Sequence, residues 1–272
     1  MVGQAVIEHC ARLNDEVFAH DHLSLDIEDE PQVRAIFERE RPDVVINCAA
    51  WTNVDKCELN PERTFMVNAR GPEILASESR SISASLITIS TDYVFDGEKI
   101  GFYTQRDQPN PRSVYASAKL EGERRAQAAS ARTIVVRTGW VFGPQGRNFL
   151  SRVVELAERG ERLKAISDAY GTPTYAQDLA ARLRHLAEID LPGIYHVVNS
   201  GDGASYEEFA REALVAGGLD ASILESVKMD SLDRPAPRPR NSRLRCLLSE
   251  AIGLPPLPEW RTALRGFVAA KN

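Results

Sequence analysis

The chain has 272 residues, of which 43% are hydrophobic and 26% charged, the proportions of an ordinary folded protein large enough for one or two lobes. A formal net charge of -6 gives no global case for nucleic acid, and no apolar run approaches the roughly 20 residues of a membrane helix. The first residues lack the charged head and apolar core of a secretion signal, so a cytoplasmic protein without membrane or nucleic-acid partners is expected.

In chain order, Gln4 to Leu13 reads as a short amphipathic helix and Glu16 to Ala19 as a strand. Glu28 to Glu40 is helical, with Val33, Ile36 and Phe37 on one face. Asp43 to Cys48 is a continuous apolar run, expected for a strand buried on both faces of a parallel sheet. Asn60 and Pro61, an N-cap and a first-turn proline, predict a helix to Arg80. Leu86–Ser90 and Thr133–Thr138 read as strands, separated by an alanine-rich helix from Pro111 to Ala129. This alternation predicts βαβ units and a doubly wound parallel sheet.

After about Gly143 helices dominate, over Asn148–Arg159, Tyr175–Glu188, Tyr206–Ala216 and Pro258–Ala270, with short strands such as Gly193–Val198. A Rossmann-like domain over 1–143 is therefore expected, then a smaller, partly interleaved mixed α/β lobe over 144–272. Cys10, Cys48, Cys57 and Cys246 form no CxxC pair and have no zinc-like spacing, so free thiols and no metal site are expected.

The chemistry gathers in two places. Tyr115-Ala-Ser-Ala-Lys119 lies on a predicted helix, where residues four apart share a face. A neighbouring ammonium would lower the pKa of the phenol and equip it to protonate a carbonyl oxygen. The bland alternative is a surface pair, which spacing alone favours. Ser90-Thr-Asp-Tyr-Val-Phe95 sits at the carboxyl end of a predicted central strand, where ligands bind in open α/β sheets. The Thr91 hydroxyl there could hold a substrate carbonyl; the bland alternative is a turn after a strand.

These segments occur in order with Asn47-Cys-Ala-Ala-Trp-Thr52, Arg137-Thr-Gly-Trp-Val-Phe142, Gly171-Thr-Pro-Thr174 and Arg238-Pro-Arg-Asn-Ser-Arg-Leu244. The whole set resembles the dTDP-4-dehydrorhamnose reductase family of extended short-chain dehydrogenases, from Met1 to about Trp260. The resemblance implies reduction of a nucleotide-linked 4-keto-6-deoxy sugar by NADPH, with NADH possible. It implies Tyr115 as general acid, Lys119 as its partner and holder of the nicotinamide ribose, and Thr91 on the keto oxygen. Asp92, Tyr93 and Trp140 would line the sugar pocket. Gly3, Asp26, Ile27, Ala49, Ala50, Thr52 and Ser90 would lie along the cofactor, and Asp21 could accept from a ribose hydroxyl.

From Lys228 to Arg245 six Lys/Arg face two Asp, a balance of +4 in an acidic chain. Arginine grips a diphosphate bidentately, and the resemblance assigns Arg238 and Ser242 to the dTDP-sugar. A solvated proline-rich linker is the alternative that composition favours. Members of the family open with a strand and a glycine-rich turn, and Gly3 matches only the last of those glycines. The expectation is a sheet with its first strand missing, through a start site placed too late or a shortened variant, and weak dinucleotide binding by this form. Asp92-Tyr93 after the threonine speaks against a dehydratase, which has Asp-Glu there. Another nucleotide-sugar epimerase or reductase, or a non-catalytic regulatory subunit of the same fold, remains the alternative. A monomer or homodimer is expected.

Overall fold

The computed structural model describes residues 1–270; residues 271 and 272, the end of the expected second lobe, lie outside the described residues. The first half runs α1 (Val2–Arg12), α2 (Glu30–Glu40), β1 (Val44–Asn47), α3 (Val54–Leu59), α4 (Pro61–Phe65), a π turn (Met66–Arg70) and α5 (Gly71–Ser81). It continues with β2 (Ser85–Thr91), α6 (Val114–Ala129) and β3 (Thr133–Thr138). The second half contains β4 (Val141–Phe142), α7 (Phe149–Glu158), β5 (Leu163–Ile166), β6 (Tyr170–Gly171), β7 (Thr174–Tyr175), α8 (Ala176–Ile189) and β8 (Gly193–His196). It closes with β9 (Asn199–Ser200), β10 (Ala204–Ser205), α9 (Tyr206–Ala216), β11 (Leu224–Val227), α10 (Leu247–Ala251), β12 (Leu257–Glu259) and α11 (Trp260–Ala269).

Four parallel strands in the order β1-β2-β3-β8 form the main sheet, a Rossmann-like α/β arrangement. Side chains alternate across a strand, so adjacent residues enter different cores. Leu86 packs with Val33, Phe37, Ile74 and Leu75 of α2 and α5. Its neighbour Ile87 packs on the opposite face with Ala5 and Val6 of α1 and Leu179 and Leu183 of α8. A third core in the second half gathers Phe142, Leu150, Phe209, Trp260 and Phe267 from β4, α7, α9 and α11. α8 and β8 return from that half to the main sheet, so the two halves are interleaved along the chain.

Three local expectations are corrected. Glu16–Ala19 is not a strand: no described strand pairs with it, and Val17 and Phe18 are exposed. Strands need a neighbour for their backbone groups. For the same reason β1 is an edge strand, and Val44, Val45 and Ile46 are half-buried rather than enclosed on both faces. The single helix expected from Pro61 to Arg80 is interrupted by the π turn. Pro72 lacks an N–H and would crowd the carbonyl of Asn68, and widening the preceding turn relieves both problems. The Asn60 side chain does not cap this helix but donates to the Lys56 carbonyl at 2.9 Å.

Candidate active site

β2 ends at Thr91, whose hydroxyl accepts from the Tyr93 N–H at 3.1 Å and so starts the short 3-10 turn Asp92–Val94. The Ser113 hydroxyl caps α6 by accepting from the Ala116 N–H at 3.3 Å, which places Tyr115 in the first helical turn. Lys119 follows one turn later on the same face. Thr91, Tyr115 and Lys119 thus converge at the carboxyl end of β2: the phenol lies beside the Thr91 hydroxyl, and Lys119 Nζ donates to the Ile89 carbonyl at 2.7 Å.

The electrostatics depart from expectation. Burial pushes the Tyr115 phenol above its ordinary range, only partly offset by the Thr91 hydroxyl, so no lowering by Lys119 prevails. Burial also brings Lys119 down to about 8, with Glu123 opposing the change. The physical reason is that both groups are enclosed, and desolvation acts against each charged form. Tyr115 therefore stays a neutral phenol with its proton in hand.

Behind the pair lies a buried ionic group that sequence reasoning missed. Arg137 of β3 donates bidentately to Glu123 of α6, from Nε at 2.9 Å and Nη2 at 2.7 Å. Ser90 Oγ donates to the same carboxylate at 2.5 Å. The Ser90 hydroxyl thus spends its hydrogen on α6. Glu123 also stands four residues beyond Lys119, a spacing that was visible in the sequence, but its burial was not.

Along the cleft, Tyr93, Trp140, Tyr206, Arg234, Arg238 and Pro239 line one pocket. Trp140 adopts a φ of +51°, a strained position for a bulky residue. Two contacts hold it: its indole stacks on Tyr206 with ring centroids 3.8 Å apart, and Gly171 leaves room where a Cβ would lie 2.0 Å from Nε1. Tyr206 was missed because its only sequence signal is its place after the Ser205 cap.

Arg238 is already engaged. Nη1 and Nη2 each donate to the Asp55 carboxylate at 2.7 Å, and Nη1 also donates to the Ala236 carbonyl at 2.6 Å. One edge of the guanidinium is thereby spent on α3, leaving the Nε N–H and one Nη2 N–H. Ser242 is buried close to Asp92.

The residues expected along a cofactor are more dispersed. Gly3 lies in the first turn of α1 against Cys48, 3.7 Å from where a Cβ would stand, so the α1 N-terminus meets the loop after β1. Ala49 and Thr52 on that loop are exposed and Ala50 is half-buried. The loop is fixed by Asn68 of the π turn, which exchanges two 2.9 Å hydrogen bonds with the backbone of Trp51. This positioning role had no sequence signal, because it depends on the π turn. Asp21 uses one carboxylate oxygen, Oδ1, on its own turn, accepting from Leu23 and Ser24 N–H groups at 3.0 and 3.1 Å. Asp26 likewise accepts from Glu28 N–H at 3.0 Å, and Ile27 packs over Gly71.

These residues fit a dinucleotide at both ends. Lys119 carries three N–H donors and spends one on Ile89, which suits ribose hydroxyls. The first turn of α1 has no side-chain cap, leaving backbone N–H groups suited to a diphosphate.

A family model described as the RmlD substrate binding domain matches residues 1–272. The dTDP-4-dehydrorhamnose reductase of Mycolicibacterium smegmatis is 38% identical over 99% of this chain and 83% of its own. The spore coat polysaccharide biosynthesis protein SpsK of Bacillus subtilis is 37% identical, over 99% and 95% respectively. The crystal structure of a dTDP-4-dehydrorhamnose reductase from Clostridium acetobutylicum superposes with a TM-score of 0.94 at 34% identity, covering 99% of this chain and 95% of that one. That of Bacillus anthracis, in complex with NADP, gives 0.94 at 29% identity with the same coverages.

Proposed function

The chain belongs to the RmlD substrate binding domain family, and on that footing we propose that it is a dTDP-4-dehydrorhamnose reductase. It reduces the C4 ketone of a dTDP-linked 4-keto-6-deoxy sugar with NADPH, as its relatives' names and the NADP-bound neighbour support. The observation that carries the reading is the convergence of Thr91, Tyr115 and Lys119 at the end of β2.

When bound, the nicotinamide supplies the hydride. Thr91 donates to the ketone oxygen and orients it towards Tyr115. Tyr115 keeps its proton until negative charge develops on that oxygen and then gives it up, as a general acid does. Lys119 holds the ribose with its two remaining N–H groups and supplies positive charge beside the nascent phenolate. The uncapped start of α1, with Gly3, and the loop Ala49–Thr52 receive the rest of the dinucleotide. Asp21, Asp26 and Ile27 border its adenosine end.

Tyr93 and Trp140 form the sugar pocket, with Tyr206 backing the indole. Arg238, held by Asp55, offers its free edge to the diphosphate, and the second lobe, 144–272, supplies most of this surface. The dTDP-sugar is the partner, taken up by a cytoplasmic monomer or homodimer that binds no nucleic acid. Following NADPH oxidation with dTDP-4-dehydrorhamnose tests the reading; no oxidation at any pH would reject it.

A further inference from the structure

Asp92 follows Thr91 directly and is almost fully enclosed, with 3% of its surface exposed. Thr91 Oγ1 lies 3.1 Å from Asp92 Oδ1, and Oδ2 has no hydrogen-bond partner among the described residues. No Cβ intervenes from Gly139 of the β3–β4 connection; one would lie 2.3 Å from the carboxyl carbon. The groups facing Asp92 are Tyr93 on its own turn, Tyr115 of α6, Tyr206 of α9 and Ser242 of the C-terminal segment. None is a cation; Arg238 acts on Tyr93 and Tyr206 and is committed to Asp55.

A threonine hydroxyl has one hydrogen and two lone pairs. One lone pair of Thr91 is taken by the Tyr93 N–H. If Asp92 is a carboxylate, the single Thr91 hydrogen points at Oδ1 and is unavailable to a ketone. If Asp92 is a carboxylic acid, its own O–H donates to Thr91, whose hydrogen is then free for substrate. We propose that Asp92 is a positioning residue whose proton sets the direction of the Thr91 hydroxyl, so that only enzyme with a protonated Asp92 presents a donor to the ketone. This rests on the reading of Thr91 as the ketone's partner. It also gives the buried, unpartnered Oδ2 a reason: an ion pair there would fix Asp92 in the wrong form.

Burial raises the Asp92 carboxyl to about 7, with Ser242 and Thr91 opposing the rise. The switch would therefore operate within the working range. The proton does not enter the product; it stays on Asp92 through turnover, and Tyr115 remains the acid.

The test is the pH dependence of kcat/KM for NADPH-dependent reduction of dTDP-4-dehydrorhamnose. The native enzyme should lose activity about tenfold per pH unit above about 7. In Asp92→Asn the amide N–H donates to Thr91 at every pH, so this limb should vanish while acid-side activity falls by no more than about tenfold. Ser242→Ala, which removes a group favouring the carboxylate, should move the limb upward. In cofactor-free protein, the infrared band of a protonated carboxylic acid should titrate near pH 7 and be missing in Asp92→Asn. An unchanged limb in either variant, or no such band in the native protein, overturns the role of Asp92 while leaving the reductase reading intact. Absence of ketone reduction in the native enzyme would instead sink that reading.

Discussion

The ammonium of Lys119 donates a 2.7 Å hydrogen bond to the main-chain oxygen of Ile89, tying the α6 face to the end of β2 from a fully buried position. The amine ionises at about 8 in the folded protein against 10.5 when free. Between those values the unfolded chain holds a proton that the folded one has released, so stability rises with pH across that window. Below about 8 both states are protonated and the burial cost is present in full, on the order of 3 kcal/mol. Lys119→Met should flatten the slope in urea-unfolding free energy between about pH 8 and 10.5. An identical slope in both proteins would contradict the assignment.

Glu123 and Arg137 are both almost inaccessible, with side chains 2% and 4% exposed. Removing one partner leaves a buried charge alone, which costs about 3–5 kcal/mol. Glu123→Ala should be destabilised by that amount, and Glu123→Ala/Arg137→Leu by less than Glu123→Ala alone. Denaturant unfolding of the two variants compares them; a double variant weaker than the single would argue against the pair.

Asp55 holds Arg238 by Nη1 and Nη2, so the Nε edge is the one presented to a ligand. Arg238→Ala should raise KM for the nucleotide sugar about ten- to a hundredfold, the worth of a charged hydrogen bond, with little change in kcat. Arg238→Lys should not restore it, since an ammonium cannot serve two carboxylate oxygens and a phosphate through separate edges. Steady-state kinetics of both variants decide this.

Gly139→Ala introduces a Cβ 2.3 Å from the Asp92 carboxyl carbon. Two carbons cannot sit that close, so the enclosed Asp92 carboxyl must be displaced from its place beside Thr91. Turnover should fall more than tenfold while the fold persists, with stability lowered by about 1–3 kcal/mol. Circular dichroism together with the ketone assay checks both halves.

Much of this was legible in the chain. Strong apolar periodicity placed α2, β2, β3 and α9, because local pattern and tertiary burial agree there. Spacing alone favoured a surface pair for Tyr115 and Lys119; the expectation that they join Thr91 came from the resemblance carried by the ordered motifs. What could not be read depends on contacts between distant segments. The π turn follows from Pro72 meeting Asn68 in a packed helix, and Glu16–Ala19 has strand-forming residues but no neighbour to pair with. The Tyr115 pKa went opposite to expectation because spacing reveals a partner but not desolvation.

Replacing Tyr115 by Phe tests the central claim most directly, since it removes one hydroxyl from the Thr91–Tyr115–Lys119 cluster and little else. Turnover of dTDP-4-dehydrorhamnose by NADPH should fall by about 10²–10⁴-fold, with nucleotide-sugar binding, measured by calorimetry, changed less than about threefold. A Tyr115→Phe protein that reduces the ketone at the native rate would contradict the account.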